Sequence, residues 1–377
     1  MIGTKITAVI LSAGMSSRMG EFKPLLPLGS GMVIEQVVAT LRSAGIGDIR
    51  VVLGYRAQDV IPVLKDLGVS WVINEDFQKE MLTSVKVGAD GLAPDSKAFF
   101  ILPVDIPLVR SHTFHALMDA SSKDTKYIVY PTFAGKRGHP PLIPRQYAGE
   151  LMQWTGNGGL KGFLEQYDPI SFDVPVFDEC ILMDMDTPEH YRQVVARYEK
   201  RQIPSKAECR AIMAARFSDG HPVEKHGKVV ARIGQIIGNK LIHAGCTVDA
   251  DLIGVCGYLH DIGKGKKYHA KFGADLLKNM GYLNVSEVIA SHMDLVFAKE
   301  GTITEKEVLY LADKMTHGES ILKLEKRLES KMNQLADNPK GKMAAEKRIR
   351  TAMQIEQAIE RIIGENIASL VDERRQS

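Results

Sequence analysis

The chain has 377 residues, 45% of them apolar, with a formal charge of +2. That length suggests two domains of a soluble globular protein, and the near-neutral balance argues against a nucleic-acid platform. No apolar run approaches a membrane span, and the first residues hold no charged-then-apolar leader pattern. Four scattered cysteines (Cys180, Cys209, Cys246, Cys256) with no C-x-x-C spacing suit a reduced cytoplasm and give no thiolate zinc site.

Residues 6–10 (ITAVI) read as a buried strand. The small residues Ser12, Ala13, Gly14, Ser16 and Ser17 then allow a tight turn and close approach to a ligand. A turn after a strand aims backbone N–H groups outward, which suits an anion such as a phosphate, and Arg18 and Lys23 are the cations in reach. It is neither a Walker loop nor a G-x-G-x-x-G fingerprint. The same residues also suit an ordinary strand-to-helix turn with a surface Arg and Lys.

The stretch 11–28, LSAGMSSRMGEFKPLLPL, resembles the signature loop of the molybdenum cofactor nucleotidyltransferases, the MobA-like family. Its members join a nucleotide from an NTP to the phosphate of molybdopterin. The resemblance implies that Arg18 and Lys23 hold the triphosphate and that the backbone of Leu11, Ser12, Ala13 and Gly14 lines the base pocket. Ala13-Gly14, where GTP users tend to carry Gly-Gly, resembles the CTP-dependent members.

Strand and helix patterns alternate from residue 5 to about 198, the form of a doubly wound α/β layer. Residues 32–44 read as a helix and residues 49–53 (IRVVL) as a strand. Gly54 would follow at the carboxyl edge of the sheet, where such folds bind ligands. Residues 69–73 read as a third strand, and residues 81–84 (MLTS) precede a helix through Gly88 and Leu92. Ser84 either caps that helix or, as the resemblance implies, approaches the nucleotide. Residues 98–102 (AFFIL) read as a strand ending in PVDIPLV. Asp105 there suits Mg²⁺, or is a turn residue before Pro107; the string resembles the family's metal motif.

Residues 126–131 read as a further strand. The basic loop GKRGHPP (135–141) resembles a family segment, which implies that Gly138 and His139 line the substrate side. Residues 181–186 (ILMDMD) alternate as a strand would, with Asp184 and Asp186 on one face. DMDTPEHY resembles the family's closing motif, so Asp186 is a second metal ligand by resemblance, or the cap of a helix from Pro188. These features predict a first domain over 1–198, a Rossmann-like, mostly parallel sheet of the nucleotidyltransferase fold, and a linker over 199–207.

Beyond the linker, residues 208–377 read as all-α, with helices over 208–217, 223–243, 249–262, 271–280, 285–291, 304–315 and 319–336. His260-Asp261 at the end of an apolar helix is unusual, because burying both needs strong partners. With His226 before it and Asp313 after, the set offers mixed N/O ligation for a divalent transition metal. LHDIGK (259–264) resembles the central motif of HD-domain metal phosphohydrolases. That resemblance implies His226, His260, Asp261 and Asp313 as ligands of an ion such as Mn²⁺ or Fe²⁺, and His269 and His292 at a second site. Many relatives have His-His at the latter position; here it is His292-Met293. Lys264 either steers a phosphate or sits on the surface of the turn. The tail, 338–377, reads as a packing or homodimer helix.

The expectation is a bifunctional cytoplasmic enzyme. One domain makes the cytosine dinucleotide form of the cofactor from CTP and molybdopterin, for a recipient molybdoenzyme, with Mg²⁺. The other is an HD phosphohydrolase. The alternative is a sugar- or alcohol-phosphate nucleotidyltransferase joined to a helical module that senses nucleotide or dimerises without turnover. No nucleic acid or membrane partner is expected.

Overall fold

The computed structural model describes residues 5–298 and 302–373, with side chains to residue 371. The chain divides into two compact units, Met1–Lys200 and Arg201–Ser377.

In the first unit the strands are β1 (Ile6–Ser12), β2 (Pro27–Leu28), β3 (Gly31–Met32), β4 (Asp48–Leu53), β5 (Ser70–Ile73), β6 (Ala98–Pro103), β7 (Ile128–Phe133), β8 (Lys136–Arg137), β9 (Leu142–Pro144) and β10 (Ser171–Pro175). Its helices are α1 (Val33–Ser43), α2 (Ala57–Asp66), α3 (Met81–Asp90), α4 (Ser111–Lys123), α5 (Ala148–Gln153), α6 (Gly159–Glu165) and α7 (Pro188–Glu199). The main sheet runs β10-β7-β9-β6-β1-β4-β5, with β8 beside β7. The pairs β1/β4, β1/β6, β4/β5 and β7/β10 are parallel, and β9 runs antiparallel between β6 and β7. β1 is buried along its whole length, as expected of a strand covered on both faces. In α1 the buried Val33, Ile34, Val37, Val38 and Leu41 recur at helical spacing, and Glu35 caps the start by accepting from Met32 N at 2.7 Å. Because β1, β4 and β6 are parallel, Ser12, Leu53 and Pro103 end at one edge of the sheet.

The expected strand over 181–186 is not formed. A short 3₁₀ turn, Glu179–Leu182, occupies its start, and irregular chain follows. The backbone there bonds to loops: His139 N donates to Ile181 O at 2.9 Å, and Met185 N donates to Asp105 O at 3.0 Å. Asp184 and Asp186 therefore have different surroundings.

The second unit holds α8 (Lys206–Ala214), α9 (Pro222–His243), α10 (Ala250–Leu259), α11 (His269–Asn279), α12 (Leu283–Ala290), α13 (Glu305–Met315), α14 (Leu324–Gln334), α15 (Pro339–Ile363) and α16 (Ile367–Glu373). Ser205 with Glu208, and Thr304 with Glu307, form capping boxes that start α8 and α13. α10 is apolar on nearly every side and packs between α9, α12 and α13. The helix expected over 319–336 begins only at Leu324, because a small hairpin precedes it: β11 (Thr316–His317) pairs antiparallel with β12 (Ser320–Ile321) around Gly318. Gly318 has φ +59°, which suits the residue at such a reversal.

Candidate active sites

The turn after β1 opens over the carboxyl edge of the sheet. Ala13 O accepts from Tyr55 N at 3.1 Å, which ties the turn to the residue after Gly54. A side chain at Gly54 would meet Phe77 Cβ at 2.4 Å and Ala13 O at 2.9 Å, so this close approach requires glycine. At Gly14, by contrast, a Cβ would meet nothing within 4 Å, so its backbone faces open space. Leu11 and Ser12 are buried at the end of β1, and Ser12 Oγ is buried without a hydrogen-bond partner.

Lys23 is the centre of the site's charge. Its Nζ lies 2.8 Å from Asp105 Oδ2 and 2.8 Å from Asp186 Oδ1. Arg18 Nη2 lies 2.7 Å from Asp186 Oδ2, with most of the Arg18 side chain exposed. Burial pulls the Lys23 ammonium down, but the hydrogen bonds to Asp105 and Asp186 outweigh it and leave the amine above its ordinary value. The Lys23 hydrogen bond in turn holds Asp186 below the ordinary carboxylate range. Asp105 retains a path to solvent, with about a quarter of its side chain exposed (24%). Two carboxylates from loops 81 positions apart thus converge on one cation, and an all-oxygen donor set of this kind fits Mg²⁺.

The remaining residues singled out in the sequence have contacts of their own. Asp184 pairs with His190 at 3.0 Å rather than with Lys23. Ser84 is buried on α3, where it accepts from Asn74 Nδ2 at 2.9 Å. Asn74 also reaches Thr83 Oγ1 at 2.9 Å, and its N–H donates to Leu53 O at 2.8 Å. A polar residue directly after a strand at the ligand edge was the available signal for Asn74, and sequence reasoning missed it. Gly138 packs under Ile181, where a Cβ would lie 2.6 Å from Ile181 O. His139 is kept below its ordinary value by burial.

In the second unit six side chains converge. His226 stands in the second turn of α9, His260 and Asp261 follow α10, His269 opens α11, His292 follows α12, and Asp313 is on α13. Asp313 Oδ1 lies 3.2 Å from His226 Nε2 and 3.6 Å from His260 Nε2. Asp261 Oδ2 is 3.8 Å from His260 Nε2, while its Oδ1 is 3.2 Å from His269 Nε2 and 3.7 Å from His292 Nε2. Two compact donor groups result, His226–His260–Asp261 and Asp261–His269–His292.

Backbone carbonyls orient the rings. Nδ1 of His226, His260 and His292 lies 3.1, 2.8 and 2.7 Å from the carbonyls of Gly318, Gly257 and Ile289. That arrangement puts the proton on Nδ1 and turns the Nε2 lone pair into the cluster, the tautomer a metal ligand needs. His260 Nε2 is buried with no hydrogen-bond partner, which costs stability unless an ion satisfies it. The donor set therefore fits a divalent transition metal. Asp313 is held well below the carboxylate range, its burial outweighed by Lys314, His226 and His260. Lys264 Nζ lies 2.8 Å from Asp261 Oδ2 at the edge of the cluster.

The geometry gathers two cations and two carboxylates at the carboxyl edge of a parallel α/β layer, and a cluster of histidines and aspartates in a helical bundle. The chain carries a MobA-like NTP transferase domain, matched over residues 8–170, followed by an HD domain, matched over residues 223–318, and is an enzyme of nucleotidyltransferase type.

The molybdenum cofactor cytidylyltransferase of Escherichia coli (strain K12) is 24% identical over 194 residues, 51% of this chain and 97% of that protein. The nicotine blue oxidoreductase of Paenarthrobacter nicotinovorans is 27% identical over 197 residues, 49% of this chain and 93% of that one. Among solved structures, Rv0371c of Mycobacterium tuberculosis H37Rv is 27% identical, with a TM-score of 0.46 over 51% of this chain and 98% of that one. Among the described residues no helix is long and apolar enough to cross a membrane.

Proposed function

We propose that the first unit transfers CMP from CTP to molybdopterin and releases pyrophosphate. The observation that carries this reading is the convergence of Arg18 and Lys23 on Asp105 and Asp186 beside the open turn at Gly14. Asp105 and Asp186 would hold Mg²⁺, which neutralises charge on the α-phosphate when bound. Arg18 and Lys23 exchange carboxylate partners for triphosphate oxygens, and the backbone of residues 11–14 borders the base. Gly54 lets that turn close against the sheet, and Ser84 steadies Asn74 at the sheet edge. Gly138 and His139 border the molybdopterin side. No protein nucleophile is required, because the acceptor phosphate is already anionic, so the residues work by position and charge. The pair Ala13-Gly14 supports CTP over GTP. The four cysteines are free thiols, which accords with a cytoplasmic setting, and a molybdoenzyme would receive the product.

The second unit, in this reading, hydrolyses a phosphoester. His226, His260, Asp261 and Asp313 would hold one divalent transition metal, with His269 and His292 completing a second position around Asp261. Such an ion lowers the pKa of a bound water. Lys264 stands where it can draw a phosphate toward the cluster.

The test is pyrophosphate release by the full chain with Mg²⁺, CTP or GTP, and either reduced molybdopterin or sugar 1-phosphates. Release with CTP and molybdopterin at least ~10-fold above every other pair is the expected result, equal to about 1.4 kcal/mol of discrimination. Preference for a sugar phosphate would overturn it.

A further inference from the structure

A cavity of about 460 Å³ opens over the second unit's histidine–aspartate cluster. That is within the usual range for a small-molecule site. His226, Asp261, His292 and Asp313 form its floor. One wall comes from α14 and α15, which lie wholly beyond the stretch that matches the HD domain.

The charge on that lining is one-sided. Lys264, Lys314, Arg327, Lys331 and Arg348 face it, against only two carboxylates, Asp261 and Asp313, before any metal ion is counted. Two of the cations are engaged by those carboxylates: Lys264 with Asp261 at 2.8 Å and Lys314 with Asp313 at 2.5 Å. The other three belong to α14 and α15. Arg327 donates to the main-chain carbonyls of Thr316 and Asp313, and Lys331 donates to Gln334 Oε1. Neither bond neutralises the charge. Arg348 pairs with Asp294, whose side chain is 77% exposed, so that bridge is well screened. Arg327 and Lys331 are also four residues apart on one helix, a like-charge spacing that repels unless an anion lies between.

We infer that Arg327, Lys331 and Arg348 form a phosphate subsite beside the metal cluster, and that the second unit takes a substrate with two or more linked phosphates. This rests on reading that unit as a phosphohydrolase. The cluster and Lys264 engage the phosphate to be cleaved. The wall engages the remaining phosphates, which a simple monoester lacks. Hydrolysis is balanced by one water: its oxygen joins phosphorus, the bridging P–O bond breaks, and the leaving phosphate oxygen takes up a proton.

The experiment is calorimetric titration of the full chain, loaded with Mn²⁺, by inorganic tripolyphosphate and separately by inorganic phosphate. Wild type is compared with a double variant, Lys331→Gln with Arg348→Gln. The first unit's own binding of tripolyphosphate is present in both proteins and serves as the internal control. The expected result is a second binding event that weakens at least ~10-fold for tripolyphosphate, as for a lost charge-assisted contact, with phosphate changed less than about twofold. In parallel, kcat/KM for a nucleoside triphosphate falls relative to that for a phosphomonoester. No change, or equal loss for both probes, overturns the subsite. Should the wild type show the variant-sensitive event yet cleave no phosphoester, the hydrolase reading fails and so does the substrate assignment, while the anion site stands. If the double variant loses its cooperative melt, Lys331→Gln alone decides the matter, since among the described residues that side chain bonds only to neighbouring Gln334.

Discussion

Lys23→Met tests the charge arrangement of the first site most directly. The wild-type Lys23 side chain is 11% exposed, and its ammonium sits 2.8 Å from a carboxylate oxygen of each of two aspartates whose side chains are 24% and 25% exposed. Methionine keeps the aliphatic stem and removes the charge, leaving Asp105 and Asp186 facing each other. Breaking a buried ion pair costs about 3–5 kcal/mol, and the partial exposure of both carboxylates reduces that to about 2 kcal/mol here. Both tryptophans, Trp71 and Trp154, belong to the first unit, so their fluorescence reports its unfolding in urea separately from the second. With EDTA, the variant should unfold at lower urea by that amount. Added Mn²⁺ should restore the loss, by about 1.4 kcal/mol per tenfold excess over its Kd, and by more than in wild type, where the ammonium competes. Pyrophosphate release should fall by ~100-fold or more, because a cation that offsets growing charge is gone. A variant as stable as wild type in EDTA and indifferent to Mn²⁺ would refute the reasoning.

His260→Ala should abolish co-purifying transition metal by elemental analysis while leaving pyrophosphate release by the first unit within about twofold; retention of a full complement of metal would contradict the assigned cluster. Gly138→Ala drives a Cβ to 2.6 Å from Ile181 O and 2.7 Å from Ile181 Cγ1, and should destabilise the first unit by about 1–3 kcal/mol in the same fluorescence assay. Glu356 on α15 is pushed up to about 7, first by burial and then by Glu360 and Glu325. A carboxyl raised above its unfolded value of 4.5 favours the folded state only while protonated there. Its penalty is therefore absent below pH 4.5, grows through the interval, and is complete above pH 7. Glu356→Gln should raise the melting temperature at pH 8 and leave it nearly unchanged at pH 4.5.

The turn over 11–28 was readable because its residue types do local work: small residues permit the bend, and Arg18 and Lys23 lie within it. Lys23's carboxylate partners were not derivable from spacing, since they lie 82 and 163 positions away and meet it only through the parallel order of β1 and β6 and the Met185-to-Asp105 backbone bond. The alternation of ILMDMD misled for a related reason. A two-residue period marks a strand only where a neighbouring strand offers a ladder, and here separate loops accept and donate instead. The histidine–aspartate set stood out because polar pairs seldom end a helix as apolar as α10. The hairpin at β11–β12 was hidden inside a charged stretch with helical composition, and only Gly318 marked the reversal. The anion-binding wall proposed on α14 and α15 could not be read from spacing, because Arg327, Lys331 and Arg348 come from two helices and share one opening only once the chain is folded.

Asp261 occupies a peculiar post in this bundle. One of its oxygens looks toward His260 and Lys264, the other toward His269 and His292. A change at position 269 can thus silence one lobe and spare its twin, whereas a change at 261 severs both together. The two lobes share a single carboxylate, so an ion held in one would change the charge met by an ion in the other.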